Sequence, residues 1–355
     1  MPRLDTLSAT VIAIDRADTE ILHARARADG EEQERRIIAY PTLTGPLAVG
    51  DRVQLNVTAT ALSLGTGGVD FVMSTVDSPS FSEGRAFGRG GKGRGEHILK
   101  LRYTPHQHAV SAVEMSDAWV EGQDLAGVPI VACGLHSQVA LVAAGAKATR
   151  PDCRIAYVMT DSAALPLAFS HLVRQLQAVG LLESTLTCGQ AFGGELECVT
   201  LPSALLAAKH VAHADLVIVA PGPGNAGTGT RYGFSGIEQA WALDLAAALG
   251  GLALCCLRAS SADPRPRHQG LSHHSRTVLS LCARRPLAAW PKGFGDPPTD
   301  LPATLRLCDG GPGLELLAEH GLRTTSMGRT AEQDPLFFHT AAACGRLGAD
   351  AIHSR

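Results

Sequence analysis

The residues that could do chemistry gather in two stretches. ADPRPRHQGLSHHSR carries Arg265, Arg267, His268, His273 and His274, and APGPGNAGTGTRYGFSG carries Gly222, Gly224, Asn225, Gly227, Thr228, Gly229, Thr230 and Arg231. In the first, Pro264 and Pro266 stiffen the backbone. If it runs extended, Arg265 and Arg267 at i, i+2 point the same way, and paired guanidiniums on a stiff loop suit a phosphate or carboxylate. The plainer account is a surface loop whose arginines pair with Asp263. In the second stretch glycine removes the Cβ that would block close approach, so backbone N–H groups and hydroxyls can turn toward an anion. It has no Gly-Lys-Ser/Thr ending and lacks the dinucleotide spacing, which leaves a cradle of unassigned type or a loop that only packs.

Acid–base work needs a group titrating near neutrality. His136, opening a helix, and His273 or His274, also at a helix start, are the candidate catalytic residues, with Asp161 as orienter. Gly134-Leu-His-Ser-Gln138 is not a G-x-S-x-G elbow, which argues against a serine hydrolase. Consecutive helical side chains diverge by roughly 100°, so His273 and His274 are not expected to face one metal, and the H-E-x-x-H pattern is missing. His268 with one of them, and Asp161 or Asp263, could still meet across a loop. Helix capping is the favoured role, so no metal ligand is assigned and the cofactor is unknown.

These side chains need a scaffold, and the apolar pattern supplies one. From about residue 9 to 76 short strands recur at regular spacing: Thr10 to Ile14, Ile21 to Ala26, Arg36 to Tyr40, Asp51 to Val57 and Asp70 to Val76. That spacing predicts a small β-barrel over residues 1–79, structural or oligomerising rather than catalytic. Residues 80–127 read as a basic, glycine-rich arm with Arg85, Arg89, Lys92 and Arg94, followed by the strand-like HILKLRYT.

Residues 128–355 alternate strands with helices, which predicts an α/β domain on a mostly parallel, doubly wound, Rossmann-like sheet. Leu216 to Ala220 is a continuous apolar run, as a central strand covered on both faces requires. A helix is expected from about Pro166 to Val179, a strand at Arg323 to Met327, and a loop over Pro291 to Pro302. In open parallel sheets ligands bind beyond the carboxyl ends of the strands, a rule that gathers the polar loops at one edge.

Composition bounds the rest. A formal charge of −3 over 355 residues argues against a dedicated nucleic-acid binder, leaving only the arm as a route to one. Nine cysteines without a C-x-x-C pair read as buried apolar residues in a reducing compartment. With no secretory leader pattern and no membrane-length apolar run, a cytoplasmic protein without membrane contact is expected.

GLHSQ at Gly134–Gln138, RIAYVMTDSAALPLA at Arg154–Ala168, FGGELE at Phe192–Glu197, the glycine-rich stretch and ADPRPRHQGLSHHS together resemble an uncharacterised bacterial family of unknown function, DUF3866. The likeness reaches back to HILKLRYTP and covers most of the chain. It implies no activity, substrate or catalytic residue.

The residues themselves point to an enzyme acting on a small phosphorylated or otherwise anionic metabolite, a nucleotide among the candidates, by hydrolysis or group transfer. The competing expectations are a ligand sensor or assembly protein using the same cleft, with a homo-oligomer as one form, and nucleic-acid contact through the arm.

Overall fold

The computed structural model describes residues 4–63, 68–76, 98–119 and 121–352. Residues 64–67 and the glycine-rich arm up to residue 97 lie outside the described residues. The chain divides into two compact units, one drawn from residues 1–87 and 101–108 and the other from 88–100 and 109–355.

In the first unit β1 (Thr6–Ala17), β2 (Leu22–Ala28), β3 (Glu34–Ala39), β4 (Arg52–Asn56) and β5 (Asp70–Thr75) close a barrel in the order β1-β2-β3-β5-β4, with short helices α1 (Pro41–Thr44) and α2 (Thr58–Ala61) between β3, β4 and β5. All neighbours are antiparallel except β3 and β5. The period of two is plain in β2: Ala24, Ala26 and Ala28 are buried while Arg25 and Arg27 stand outside. Small alanines opposite Ile37, Val53 and Leu55 fill so narrow a barrel with side chains alone.

Two short strands follow, β6 (Ile98–Lys100) and β7 (His108–Val110). Among its described residues HILKLRYT is extended only over β6, because Leu101 and Tyr103 adopt positive φ of 49° and 60° and turn the chain.

The second unit is built on β8 (Pro129–Cys133), β9 (Ile155–Thr160), β10 (Ser184–Thr187), β11 (Leu196–Glu197), β12 (Leu216–Pro221) and β13 (Leu252–Cys256). A small antiparallel pair, β14 (Ala259–Ser260) with β15 (Gly270–Leu271), pinches the loop that follows, and β16 (Leu287–Pro291) and β17 (Thr304–Cys308) complete the sheet. Eight strands run parallel in the order β11-β10-β9-β12-β8-β13-β16-β17. The expected central strand is β12, buried at every position between β9 and β8.

Helices α3 (Gln138–Thr149), α4 (His171–Ala178), α8 (Gly311–Glu319) and α9 (Pro335–Asp350) contribute to the apolar core on one face; α5 (Leu201–His210), α6 (Gln239–Ala248) and α7 (His273–Leu281) contribute to the other. The α3–α9 contact is close because both helices carry small residues where they cross. A Cβ on Gly145 would sit 2.0 Å from the Ala342 carbonyl oxygen, and one on Gly345 would sit 2.0 Å from that of Val142. Among the described residues no helix is long and apolar enough to cross a membrane.

Three local expectations are corrected. The helix expected from Pro166 starts at His171, after a 3-10 turn over Leu167–Phe169, because Ser170 caps it by accepting from the Val173 N–H. Residues 323–327 form no strand; Ser326 and Arg329 only bridge a turn. The sheet has a strand at Leu287–Pro291, running into the Pro-rich segment read as a loop.

Candidate functional site

The strand order changes direction at β8. The chain runs from β8 outward to β9, β10 and β11, returns to insert β12 beside β8, and leaves on the other side through β13, β16 and β17. The helix after β8 packs on one face and those after β12 and β13 on the other, so the carboxyl ends of these strands frame the crevice expected at such a switch point. Three loops meet there, and Gly134, Phe234, Gly236, Arg258 and His274 line one small cavity. A larger hollow of about 360 Å³ lies at the opposite, amino-terminal edge, lined by Arg154, Lys209 and His213. It holds none of the sequence candidates, and Arg154 is already turned onto Asp215 at 3.4 Å.

The glycine-rich loop after β12 is folded upon itself. Thr228 N–H donates to the Gly233 carbonyl at 2.7 Å, Thr228 and Thr230 share a hydroxyl hydrogen bond at 2.9 Å, and Gly233 N–H donates to Thr230 Oγ1 at 3.2 Å. Ser235 donates to Asn225, whose amide donates to the Gly134 carbonyl at 3.0 Å. Gly222 passes against Ala164, where a Cβ would stand 2.3 Å from a carbonyl oxygen. Gly224 and Gly229 take left-handed φ of 93° and 81°, and Gly227 packs near Phe234. Arg231 is exposed, with its guanidinium 5.0 Å from the ring centre of Tyr232. The threonine hydroxyls thus close the hairpin, and the loop's base forms a wall of the crevice.

The second stretch is the denser site. Pro266–His268 is a 3-10 turn, not an extended run, which separates the two arginines. Arg265 turns back and donates from Nε and Nη2 to both oxygens of Asp263, at 2.8 Å each. Arg258 and Arg329 approach the same carboxylate at 3.5 Å, and Arg329 also pairs with Asp334 at 3.1 Å. Asp263 is fully buried and its carboxyl is held well below the usual range, chiefly by the hydrogen bonds from Arg265. Arg267 is exposed, its guanidinium 3.5 Å from where a Cβ on Gly229 would lie. Among the described residues no carboxylate pairs with it.

The histidines of this stretch converge. His273 and His274 are the first two residues of α7, and their ring centres stand 4.4 Å apart, with His268 at 4.9 and 4.8 Å. The expected divergence around the helix axis is overcome because the long side chains fold toward the same neighbour. Phe234 stacks on His274 at 3.7 Å and 4°, fixing that ring plane.

Ser272 caps α7 by accepting from the His274 N–H, and its hydroxyl meets His268 Nδ1 at 2.7 Å. Burial and then the Arg258 charge push His268 to about 4 and His274 to about 3; His273 is lowered by burial and then by Arg267. All three are neutral imidazoles near pH 7.

His136 lies elsewhere along the edge. Its Nε2 meets Ser170 Oγ at 2.7 Å, and its Nδ1 lies 3.2 Å from both the Tyr157 hydroxyl and the Pro221 carbonyl oxygen. Burial lowers it to about 4. Asp161 does not orient it: that carboxylate accepts from the Gln190 N–H at 3.0 Å. Glu238, not singled out from the sequence, accepts from the Thr160 hydroxyl and is raised by burial.

Arg258 and Arg329 were also missed. Arg258 stands two residues beyond β13, where the carboxyl-edge rule reaches it, whereas Arg329 comes from 66 residues past Asp263 and carries no such signal.

No curated protein and no solved structure matches the chain. One family model does, described as a protein of unknown function, DUF3866, over residues 36–294, a span that takes in the loops after β8, β12 and β13 but not Arg329 and Asp334. The chain therefore belongs to the DUF3866 family.

Proposed function

We propose that this protein is an enzyme acting on a small phosphorylated or otherwise anionic metabolite, by hydrolysis or group transfer, in the crevice beyond β8, β12 and β13. One observation carries the reading. Among the described residues, Arg258, Arg265 and Arg329 converge on the single buried carboxylate of Asp263, Asp334 is the only other acid paired there, and Arg267 has no carboxylate partner. An excess of guanidinium around neutral imidazoles favours an anion, and guanidiniums match the oxygen geometry of phosphate. His268, at about 4, and His274, at about 3, are weak bases near neutrality, so proton transfer at this place falls first to His273. The nine unpaired cysteines support action in a reducing compartment, the cytoplasm.

Thermal-shift and calorimetric screening of the full chain against inorganic phosphate, pyrophosphate, nucleotides and sugar phosphates tests this. A ligand at a hundred times its dissociation constant should add about 2.7 kcal/mol to stability, and phosphate release should accompany turnover. Binding without turnover would make the protein a sensor. If no anion in the panel stabilises the fold, the reading is abandoned.

A further inference from the structure

The three histidines beside the arginines do more than neutral donors need to do. One nitrogen from each of His268, His273 and His274 lies within 4.8 Å of the other two. The Nε2 of His273 is buried with no hydrogen-bond partner among the described residues, a costly arrangement unless something else completes it. The Nδ1 of His268 is fixed by Ser272, and the ring of His274 is held flat against Phe234. Holding the far nitrogen of a histidine by a neighbouring group is how proteins aim the near one at a metal.

We propose that His268, His273 and His274 form a seat for a divalent transition-metal ion of the zinc class, with at least one coordination position left for water or an anion. The donor set decides the class. Three imidazoles suit zinc, nickel or copper, whereas magnesium and calcium require oxygen ligands, and the nearby Asp263 is engaged by guanidiniums. Tetrahedral zinc at 2.0–2.1 Å from each nitrogen places the nitrogens about 3.4 Å apart, so loading requires the imidazoles to draw in from their 4.8 Å spread.

One contact competes. Arg258 Nη1 donates to His274 Nδ1 at 3.2 Å, which leaves the remaining proton on Nε2. A metal on His274 therefore displaces that hydrogen bond or shifts the proton, and in either case frees the guanidinium. The inference stands on the imidazoles and does not need the anion reading.

The test is a calorimetric titration of the chelator-stripped, full-length chain with zinc chloride in a phosphate-free buffer, paired with the visible spectrum after cobalt loading. One zinc per chain and the absorption of tetrahedral cobalt are expected. His273→Asn and His268→Gln should each weaken zinc binding at least tenfold, while His320→Ala, at an exposed histidine, leaves it unchanged. Circular dichroism of each metal-free variant establishes that it is folded. His268 is buried, so if His268→Gln fails to fold, the half-buried His273 decides the matter alone. Absent zinc binding, or equal binding by His273→Asn and the parent, overturns the proposal. With no phosphate present, that failure leaves the anion reading untouched, and failure of the anion screen leaves this one untouched.

Discussion

The Arg258 guanidinium reaches His274 Nδ1 at 3.2 Å, tying the residue just past β13 to the first turn of α7. The same guanidinium stands 3.5 Å from Asp263 and is lowered to about 10 by burial first and by the Arg265 charge second. It is thus a desolvated cation shared between a neutral imidazole and a carboxylate already matched by Arg265. Such a cation is available to an incoming anion and stands in the way of an incoming metal. Arg258→Met, which keeps the aliphatic stem, should weaken pyrophosphate binding at least tenfold and strengthen zinc binding severalfold. Calorimetry with each ligand separately reads both. Unchanged affinity for the two would assign Arg258 to structure alone.

A second prediction concerns pH and His136. Its folded value of about 4 lies below the ordinary 6.5 because the ring is buried among Tyr157, Ser170 and the Pro221 carbonyl. The unfolded chain therefore takes up the proton first. The stability from this group is complete above pH 6.5, declines as pH falls, and is gone below about 4. The span corresponds to about 3 kcal/mol. The other depressed histidines slope the same way, so the diagnostic is a difference. Urea unfolding of His136→Asn between pH 7 and pH 4 should show a shallower decline than the parent. Parallel curves would mean that the ring carries no such burden.

The barrel, the parallel sheet and β12 were legible because their signals are local: alternation in LHARARA, a continuous apolar run in LVIVAP, a glycine pair closing the helix before Leu252. The gathering of charged and imidazole side chains in the Arg–His loop was legible for the same reason, its residues lying within fifteen positions of one another. What was not legible is pairing over distance. Pairing of Arg265 with Asp263 was one of the two accounts ADPRPRHQ allowed; what it does not say is which one holds, because the choice between an extended run and a 3-10 turn is made with the β14–β15 pinch around it. Arg329 joins only through the fold. The convergence of His273 and His274 was missed for a different reason. The rule of 100° describes where Cβ atoms point, and long side chains at a helix start, with no preceding turn to crowd them, can fold back together.

A third prediction rests on a buried ion pair. Lys100 and Glu197 are each 1% exposed along their side chains and stand 3.3 Å apart. Lys100 also donates to the Ala191 and Cys198 carbonyls at 2.8 and 3.1 Å, while Glu197 accepts from Gly193 N–H and Thr187 Oγ1 at 2.6 and 2.8 Å. The pair thus fastens the turn between β10 and β11 at the edge of the sheet. Lys100→Met leaves a carboxylate buried beside unmatched carbonyls and should cost about 3–5 kcal/mol. Adding Glu197→Gln should recover part of that loss, since the isolated charge is removed. Denaturant unfolding of the two singles and the double closes the cycle; strict additivity would show that the two side chains act separately.

Arg265 and Arg267 are two residues apart and should answer mutation in opposite ways. Arg265 spends its Nε and Nη2 donors on the two oxygens of Asp263, a carboxylate with no solvent exposure that also holds its own loop through the Arg265 N–H. Replacing it with alanine strips the best partner from a buried charge and should destabilise the fold by about 3 kcal/mol. Arg267 is exposed and faces the tip of the glycine-rich loop at Gly229. Its loss should leave stability within about 0.5 kcal/mol and fall instead on the ligand, where a charge-assisted contact of about 1.5–3 kcal/mol is worth roughly ten- to a hundredfold in affinity. Measuring the melting temperature and the pyrophosphate dissociation constant of both variants separates the roles. If Arg267→Ala binds pyrophosphate as the parent does, this cation, without a carboxylate among the described residues, is not where an anion enters, and the site must be sought deeper, at Arg258.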